Sequence, residues 1–408
     1  MNTSVKEVKV GLDFGQIVHN VGRLAIRDRI IYFEYNDSFL QQNINISPLR
    51  LPLQRGLIEL PQRPFEGLSG VFNDSLPDGW GRLLFDRLLR SKGILPGDVS
   101  PLSRLVHVGS SGMGALVYEP DNSPANHNEL IDLNHLYSQT QEVLTGSSAD
   151  VIKELLALNG ASAGARPKAL IDISHDRKQI THGLNNIADE FEPWIVKFSN
   201  SQDGADAGAI EYVYALMAKE AGVPMPDVHL FPSINGAGYF AVKRFDRDGA
   251  KRLHVHTASG LLHSDFRTPS LDYETLLTLT SVLTKDIREV EKMYRLAVFN
   301  VLSHNRDDHA KNFSFLMDER GQWHLSPAYD LTFSSGPGGE QSTMVMGEGR
   351  NPQTTHLVKL GQEVKLSKKL IDEIIEKTKN SLNKWPEIAV NHHVSRANIQ
   401  LIAKKINN

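Results

Sequence analysis

The segment 304–313 (HNRDDHAKNF) concentrates imidazole, carboxylate, ammonium and amide groups in a short stretch. It follows an apolar stretch with helical spacing, so these groups lie at the edge of a hydrophobic core, where a purely structural segment has no need of them. The adjacent carboxylates of Asp307 and Asp308 repel each other unless a cation offsets their charge. A carboxylate here could accept a proton, and carboxylate and amide oxygens could bind a divalent cation. The segment therefore predicts catalysis or metal binding, with a solvated charged turn as the alternative.

The spacing inside this segment narrows the chemistry. Asp307 follows Arg306, and Asn312 comes after four intervening residues, as in the catalytic loop of protein kinases. In that loop the Asp accepts the proton of the acceptor hydroxyl, and the Asn binds Mg²⁺ through its amide oxygen. The spacing predicts Asp307 as the catalytic base and Asn312 as a metal ligand, although this short pattern has little specificity by itself.

A second candidate metal ligand, Asp330, ends the downstream sequence SPAYD. Residues 313–316 and 324–326 are spaced to pair as a hairpin, which would return Asp330 to the side of Asn312. Both residues could then hold a cation that carries phosphate groups. The alternative is that Asp330 is the N-cap of a following helix.

A candidate phosphate-binding lysine, Lys197, lies among apolar residues in the strand-like segment WIVKF. Strand alternation directs Ile195 and Lys197 to one face, so the ammonium can point into a cleft. Glu211, early in the next helix, is the candidate ion-pair partner that would hold Lys197 towards the α- and β-phosphates. The alternatives are a lysine that extends to solvent and a glutamate that complements the helix dipole.

Two further segments suit nucleotide binding. Residues 160–168 (GASAGARPK) form a loop of small residues, including Ser162 and Gly164, whose amides could approach phosphate oxygens closely. The loop lacks the features of a Walker A motif, and a flexible connector is the alternative. Residues 241–246 (AVKRFD) end a strand where a hinge between two lobes would contact an adenine edge through main-chain groups. The candidate hinge residues are Val242, Lys243, Arg244 and Phe245.

The elements that must position these residues change character along the chain. Strand-like alternation dominates the first 120 residues, and helical periodicity dominates from about residue 258, with long helices expected at 273–283, 285–303, 368–382 and 395–406. Strands first and helices later predict an α+β protein. We expect three parts: a β-rich N-terminal subdomain (1–125), a lobe with the phosphate loop and strand lysine (126–250), and a helical lobe with the catalytic loop (251–408).

Composition excludes several classes of protein. The 408 residues contain 44 Lys and Arg against 48 Asp and Glu, a net charge of −4, which disfavours non-specific nucleic-acid binding through a large basic face. The absence of Cys excludes disulfides, thiol nucleophiles and thiolate metal sites. No apolar run is long enough to span a bilayer, and the N-terminus lacks a signal-peptide pattern. These features predict a soluble, cytoplasmic protein.

Five motifs together resemble the HipA family of serine/threonine kinases, the toxins of bacterial type II toxin–antitoxin modules. They are GARPK (164–168), WIVKF (194–198), VKRFDR (242–247), RDDHAKNF (306–313) and LSPAYD (325–330). Residues 73–80 (NDSLPDGW) also resemble the first subdomain of that family, so the resemblance covers nearly the whole chain.

This resemblance implies a two-lobed, protein-kinase-like fold with an extra N-terminal subdomain and a mostly helical C-terminal lobe. It implies Mg²⁺ and ATP as cofactors, and a serine or threonine hydroxyl of a protein as acceptor. By the resemblance, Asp307 is the base, Asn312 and Asp330 are metal ligands, and Lys197 binds phosphate. His309 and Lys311 match catalytic-loop residues near the phosphates.

The resemblance also implies partners and regulation. Relatives phosphorylate aminoacyl-tRNA synthetases and thereby slow translation, and they pair with a small helix-turn-helix antitoxin that binds operator DNA. This chain has no such motif, so DNA contact is expected only through the antitoxin. Relatives autophosphorylate a loop serine, but Ala161 occupies the usual position here, and Ser162 is the only hydroxyl in the loop.

Three other functions are compatible with the sequence. One is a kinase for small molecules, because the residues that bind ATP do not identify the acceptor. A metal-dependent phosphohydrolase could use His254, His256, His304, His309 and Asp307, although the sequence shows no His–Asp dyad in this cluster. A kinase-shaped corepressor could bind an antitoxin without transferring phosphate. The joint presence of Lys197, Asp307, Asn312 and Asp330 argues against the hydrolase and the corepressor.

Overall fold

A computed structural model describes residues 5–124, 130–146, 149–159, 164–182, 190–200, 204–268 and 270–406. Its first part is a five-stranded antiparallel sheet in the spatial order β4-β3-β2-β1-β5. The strands are β1 (Glu7–Asp13), β2 (Val18–Arg27), β3 (Ile30–Tyr35), β4 (Leu57–Glu59) and β5 (Leu116–Glu119). In β1, Val8, Val10 and Leu12 alternate with more exposed residues, so one face of the sheet is buried.

Four helices accompany this sheet: α1 (Asp37–Leu40), α2 (Gly70–Asn73), α3 (Gly79–Ser91) and α4 (Pro101–Val108). The apolar residues of helix α3, among them Trp80, Leu84 and Leu88, do not belong to the core of this sheet. They pack in the hydrophobic core of a second sheet, which is formed by later residues of the chain. The N-terminal region therefore shares a core with the region that follows it. The domain limits at residues 125 and 250 stay predictions.

The second sheet is also antiparallel and has the order β7-β6-β8-β10-β9. It consists of β6 (Lys168–Ser174), β7 (Ile180–Thr181), β8 (Phe191–Lys197), β9 (Val228–Phe231) and β10 (Tyr239–Lys243). The helices of this region are α5 (Leu133–Thr145), α6 (Ala149–Asn159) and α7 (Ala207–Ala221). In the β6–β8 register, Lys168 lies directly opposite Lys197, which brings two lysines to one edge of the sheet.

The last part is mostly helical. Its helices are α8 (Ala258–Leu262), α9 (Tyr273–Thr284), α10 (Ile287–Leu302), α11 (Thr354–Glu363), α12 (Lys368–Leu382), α13 (Trp385–Asn391) and α14 (Arg396–Ile406). Its short strands are β11 (Arg247–Asp248), β12 (Lys251–Arg252), β13 (His254–Thr257), β14 (Leu271–Asp272), β15 (Ser314–Met317), β16 (Trp323–Leu325) and β17 (Thr343–Met344). Within the described ranges, the structure contains no helix with the length and apolarity needed to cross a membrane.

The predicted α+β class is confirmed, and so are several individual elements. Helix α12 has the predicted bounds, and strands β15 and β16 form the predicted hairpin, with Phe315 opposite Leu325. The hairpin joins the segment 304–313 to the segment that contains Asp330.

A buried ion cluster ties the N-terminal sheet to the end of β10. Asp246 is fully buried, and its carboxylate accepts hydrogen bonds from Arg244, from Arg247 and from the amide of Gly114 at 2.6–2.9 Å. Burial alone would raise the pKa of Asp246, but the two guanidinium groups hold it far below its ordinary value. The carboxylate is therefore charged and compensates two buried cations.

We expect Asp246→Ala to lower the free energy of unfolding by about 3–5 kcal/mol, because it leaves buried guanidinium groups without a counter-charge. Chemical denaturation measures this change. Asp248→Ala, at an exposed position in the adjacent strand, is the matched control and should stay within about 0.5 kcal/mol of the original chain. Equal effects of the two substitutions would contradict a special role of the buried cluster.

Candidate functional site

A cavity of about 600 Å³ lies between the second sheet and the helical region. Its lining includes every sequence-predicted site residue that the structure describes: Gly164, Lys197, Glu211, Val242, Lys243, Arg244, Phe245, Asp307, His309, Lys311, Asn312 and Asp330. Ser162 lies outside the described residues. The volume is within the range of cofactor and small-molecule sites in proteins.

Lys197 is the ionic centre of the cavity. It ends β8, its side chain is only 11% exposed, and its ammonium group donates hydrogen bonds to Glu211 on α7 and to Asp330. Burial alone would lower the pKa of Lys197, but the two carboxylates outweigh burial and raise it. Lys197 therefore remains charged, and it faces the cavity as strand alternation predicts.

Asp330 reaches this lysine through the β15–β16 hairpin. It lies in a non-helical segment and has a left-handed φ of 59°, a conformation that Asp tolerates better than most residues. The alternative N-cap role is therefore wrong. Burial alone would raise the pKa of Asp330, but Lys197 and Lys168 hold it far below its ordinary value.

Asp307 and Asp308 face different environments. The Asp308 side chain is fully buried, and its carboxyl group accepts hydrogen bonds from Tyr273 (2.6 Å), Gln341 (2.8 Å) and the amide of Thr343 (3.2 Å). Burial raises the pKa of Asp308 to about 7 despite these bonds. The expectation that the pair needs a cation is therefore wrong for Asp308, because hydrogen bonds and a raised pKa satisfy it within the protein.

Asp307, in contrast, lines the cavity. Desolvation by the cavity walls raises the pKa of its carboxyl group, and His309 partly opposes this effect. Asn312, on the 3₁₀ turn Ala310–Asn312, donates its amide N–H to the carbonyl of Asp307 at 2.7 Å. This bond leaves the amide oxygen of Asn312 as the atom that can bind a cation.

The predicted hinge is only partly available to a ligand. The amides of Lys243 and Arg244 donate to Asp227 and Pro193. The side chains of Lys243 and Arg244 form ion pairs with Glu192 and Asp246. Val242 and Phe245 remain as the hinge residues suited to contact a base.

Several cavity residues were not assigned a role from the sequence. Arg166 lies 3.7 Å from Glu211, and Lys168 lines the cavity opposite Lys197. Burial lowers the pKa of Lys168 to about 8. Both belong to the GARPK segment. A prediction that β6 pairs with β8 would have placed this segment beside Lys197 in the cavity. Asp78 also lines the cavity, but it comes from the N-terminal region.

His254 and His256 are both buried, although His254 also borders the cavity. His256 contacts Asp74 through Nδ1 (2.6 Å) and Ser47 through Nε2 (3.0 Å), and His254 contacts the carbonyl of Ile46 at 2.9 Å. The fold thus brings together a pair, His256 and Asp74, that are far apart in the sequence. Both side chains of this pair are buried. Across the part of the chain that the structure describes, no three His, Asp or Glu side chains are grouped to hold a metal ion.

Comparison with known proteins assigns both halves of the chain. Residues 17–119 match the HipA N-terminal domain, and residues 160–385 match the HipA-like C-terminal domain. The chain belongs to the HipA family. The predicted resemblance is therefore confirmed. Most cavity residues of this HipA-family protein lie in the part that matches the C-terminal domain, and a few, such as Asp78, lie in the part that matches the N-terminal domain.

A solved structure supports the fold assignment over nearly the full length. A chain from the complex of the toxin–antitoxin system HipA, HipB and its operator DNA from Shewanella oneidensis MR-1 aligns with a TM-score of 0.67 and 15% sequence identity. The alignment covers 98% of this HipA-family chain and 95% of that chain. At this identity the similarity concerns the fold.

A curated protein from Sinorhizobium fredii, "Putative kinase Y4dM", is 26% identical over 205 residues. The match covers 45% of this chain and 49% of that protein. The chain thus spans about half the length of this curated relative.

The raised pKa of Asp308 makes stability depend on pH. The folded chain keeps this proton up to about pH 7, whereas the unfolded chain releases it near pH 4, so stability falls as pH rises from about 4 to 7. Asp308→Asn lacks this contribution. We expect the difference in unfolding free energy between the two chains to change steadily over that window, as measured by denaturation at several pH values. A difference that is constant with pH would contradict a protonated Asp308.

Proposed function

We propose that this HipA-family protein is an ATP-dependent serine/threonine-protein kinase that transfers the γ-phosphate to a protein hydroxyl and acts as a growth-inhibiting toxin. The observation that carries the proposal is the shared cavity of Lys197, Asp307, Asn312 and Asp330. An ammonium held by carboxylates, a carboxylate base and oxygen ligands for a cation are the groups that phosphoryl transfer requires.

The cationic edge of the second sheet supports binding of the nucleotide phosphates. Lys197 and Lys168 extend from neighbouring strands, and Arg166 lies beside Glu211. Glu211 on helix α7 holds the side chain of Lys197 in place. Because the lysine is already ordered, it loses less conformational entropy when it binds an anion. In this proposal, Val242 and the main chain of Phe245 contact the adenine.

Asn312 and Asp330 are the proposed Mg²⁺ ligands. An amide oxygen and a carboxylate are donors that fit this hard cation, and both groups line the same cavity. When bound, Mg²⁺ offsets the negative charge of the phosphates during transfer. Asn312 is oriented for this role because its amide nitrogen is held by the Asp307 carbonyl.

Asp307 is the proposed base that accepts the proton of the acceptor hydroxyl. Desolvation raises the pKa of Asp307, which makes its carboxylate a stronger base. Asp308 is unsuited to this role because its side chain is enclosed by Tyr273, Gln341 and Thr343. His309 and Lys311 flank the base in the same loop and line the cavity.

The partners of this protein are proposed by analogy with the family. The S. oneidensis complex contains HipA with HipB and operator DNA, which supports an antitoxin as partner. The proposed antitoxin is a helix-turn-helix protein, and DNA contact is proposed to occur through that partner. A protein that acts in translation, such as an aminoacyl-tRNA synthetase, is the proposed acceptor. The near-neutral charge of the chain is consistent with indirect DNA binding.

We expect Asp307→Asn to reduce transfer by about 10²–10⁴-fold, because the amide cannot accept the hydroxyl proton. The assay incubates the purified protein with a cell lysate and γ-labelled ATP and identifies labelled serine and threonine residues. Affinity for ATP, measured by calorimetry, should stay within about twofold of the original chain, since the base acts on the acceptor. Transfer within tenfold of the original chain would make the assignment of Asp307 wrong.

The same assay separates the competing functions. A protein that labels nothing but still binds its antitoxin is a corepressor. Release of free phosphate from ATP or other phosphate esters without labelled protein indicates a hydrolase. The buried positions of His254 and His256 argue against a histidine-based metal site for the latter.

We expect Asp330→Ala to weaken ATP binding at least about tenfold in the presence of Mg²⁺, and much less in its absence, because the variant loses a metal ligand. Calorimetric titration with and without Mg²⁺ measures both values. Asp248→Ala, at an exposed carboxylate outside the cavity, is the matched control. Equal losses with and without Mg²⁺ would remove Asp330 from the metal site.

A further inference from the structure

Asp78 joins three regions of the chain at the wall of the cavity. It precedes helix α3, and its side chain is 15% exposed. One carboxylate oxygen accepts the amide N–H of Gly164, and the other accepts a hydrogen bond from the Lys311 ammonium at 2.5 Å. A residue of the N-terminal region thus holds both Gly164 of the small-residue loop and Lys311 of the catalytic loop.

The position of Asp78 makes these bonds unusual. Asp78 occupies the N-cap of α3, where an Asp side chain normally accepts a hydrogen bond from its own helix. Here it makes no such bond. The carboxylate is committed to Gly164 and Lys311 instead, which costs α3 a cap and indicates that the contacts outside the helix matter more.

The neighbouring backbone strengthens the same contact. The amide of Trp80 donates to the carbonyl of Gly164 at 3.0 Å. Gly79 has a left-handed φ of 43°, and a Cβ at this position would lie 2.5 Å from the Gly164 carbonyl oxygen and 2.6 Å from the Cα of Ala165. Only a glycine allows the two backbones to approach so closely.

The charges agree with a firm contact. Burial alone would raise the pKa of Asp78, but the Lys311 ammonium and the Gly164 amide hold it below its ordinary value. The carboxylate is therefore ionised at neutral pH, and both hydrogen bonds are charge-assisted. The aromatic ring of Phe266 lies 4.7 Å from the Lys311 ammonium and shields this contact on one side.

We infer that Asp78 is a positioning residue through which the N-terminal region sets the geometry of the phosphate site. It fixes Gly164, within the small-residue loop, relative to Lys311 in the catalytic loop. This inference rests on the proposed function only for the identity of the ligand. Asp78 itself is not expected to touch the reacting atoms.

Asp78→Asn tests the inference. The amide side chain has one acceptor oxygen and no charge, so at least one of the two contacts is lost. Amide hydrogen exchange, followed by mass spectrometry, should become at least tenfold faster in residues 164–168 and stay unchanged in α12. Calorimetric affinity for a non-hydrolysable ATP analogue with Mg²⁺ should fall at least tenfold. Exchange in 164–168 or analogue affinity within twofold of the original chain would overturn the inference.

Asp13→Asn is the matched control. Asp13 forms an ion pair with Arg252 at 3.1 Å, which also links the N-terminal sheet to the rest of the chain but lies away from the cavity. Its variant should change thermal stability as much as Asp78→Asn does, without changing exchange in 164–168 or analogue affinity. Matching effects of the two variants on exchange and affinity would mean that Asp78 only stabilises the fold.

A second variant keeps the test independent of charge. Gly79→Ala should displace Gly164 by steric contact and give the same increase in exchange, and no increase there would also overturn the inference. Exchange is measured without nucleotide. If the original chain fails to bind the ATP analogue, the proposed function is wrong, while the exchange data still decide whether Asp78 holds the loop.

Discussion

The structure depends on the burial of one charged group, the ammonium of Lys197. A lysine with an 11% exposed side chain inside a protein is strongly destabilising unless opposite charges surround it. Its two partners come from distant places: Glu211 from helix α7 and Asp330 from the segment after the β15–β16 hairpin. Sheet, helix and hairpin must therefore pack in one relative arrangement, and the cavity forms where they meet.

A second constraint keeps the segment 304–313 in one conformation. Because Asp308 points inward and is bound by Tyr273, Gln341 and Thr343, the next carboxylate in the chain, Asp307, must point to the other side. The buried residue thus orients the exposed one. Two neighbouring aspartates with opposite environments also explain how one keeps a proton near neutral pH while the other remains available for chemistry.

The sequence predicts what depends on local pattern. Helical periodicity predicts α12, and strand alternation predicts that Lys197 faces the cavity. The spacing of Asp307 and Asn312 predicts that they act together, and both line the same cavity. The sequence misses Asp78 and the pair of His256 with Asp74, because the contacting residues are 233 and 182 positions apart in the chain. Such contacts arise from packing between regions. Asp74 and Asp78 both lie in the motif NDSLPDGW (73–80), but the motif does not indicate which distant residues they contact.

Charge balance around the cavity explains why a divalent cation belongs to the proposed chemistry. The cations nearest the small-residue and catalytic loops, Arg166, Lys168, Lys197 and Lys311, are matched by Asp78, Glu211, Asp307 and Asp330. These four carboxylates therefore offset much of the positive charge that the four cations offer to a triphosphate. In the proposed function, a divalent cation bound with the nucleotide would add positive charge beside the phosphates, and Asp330 would then be shared between that cation and Lys197.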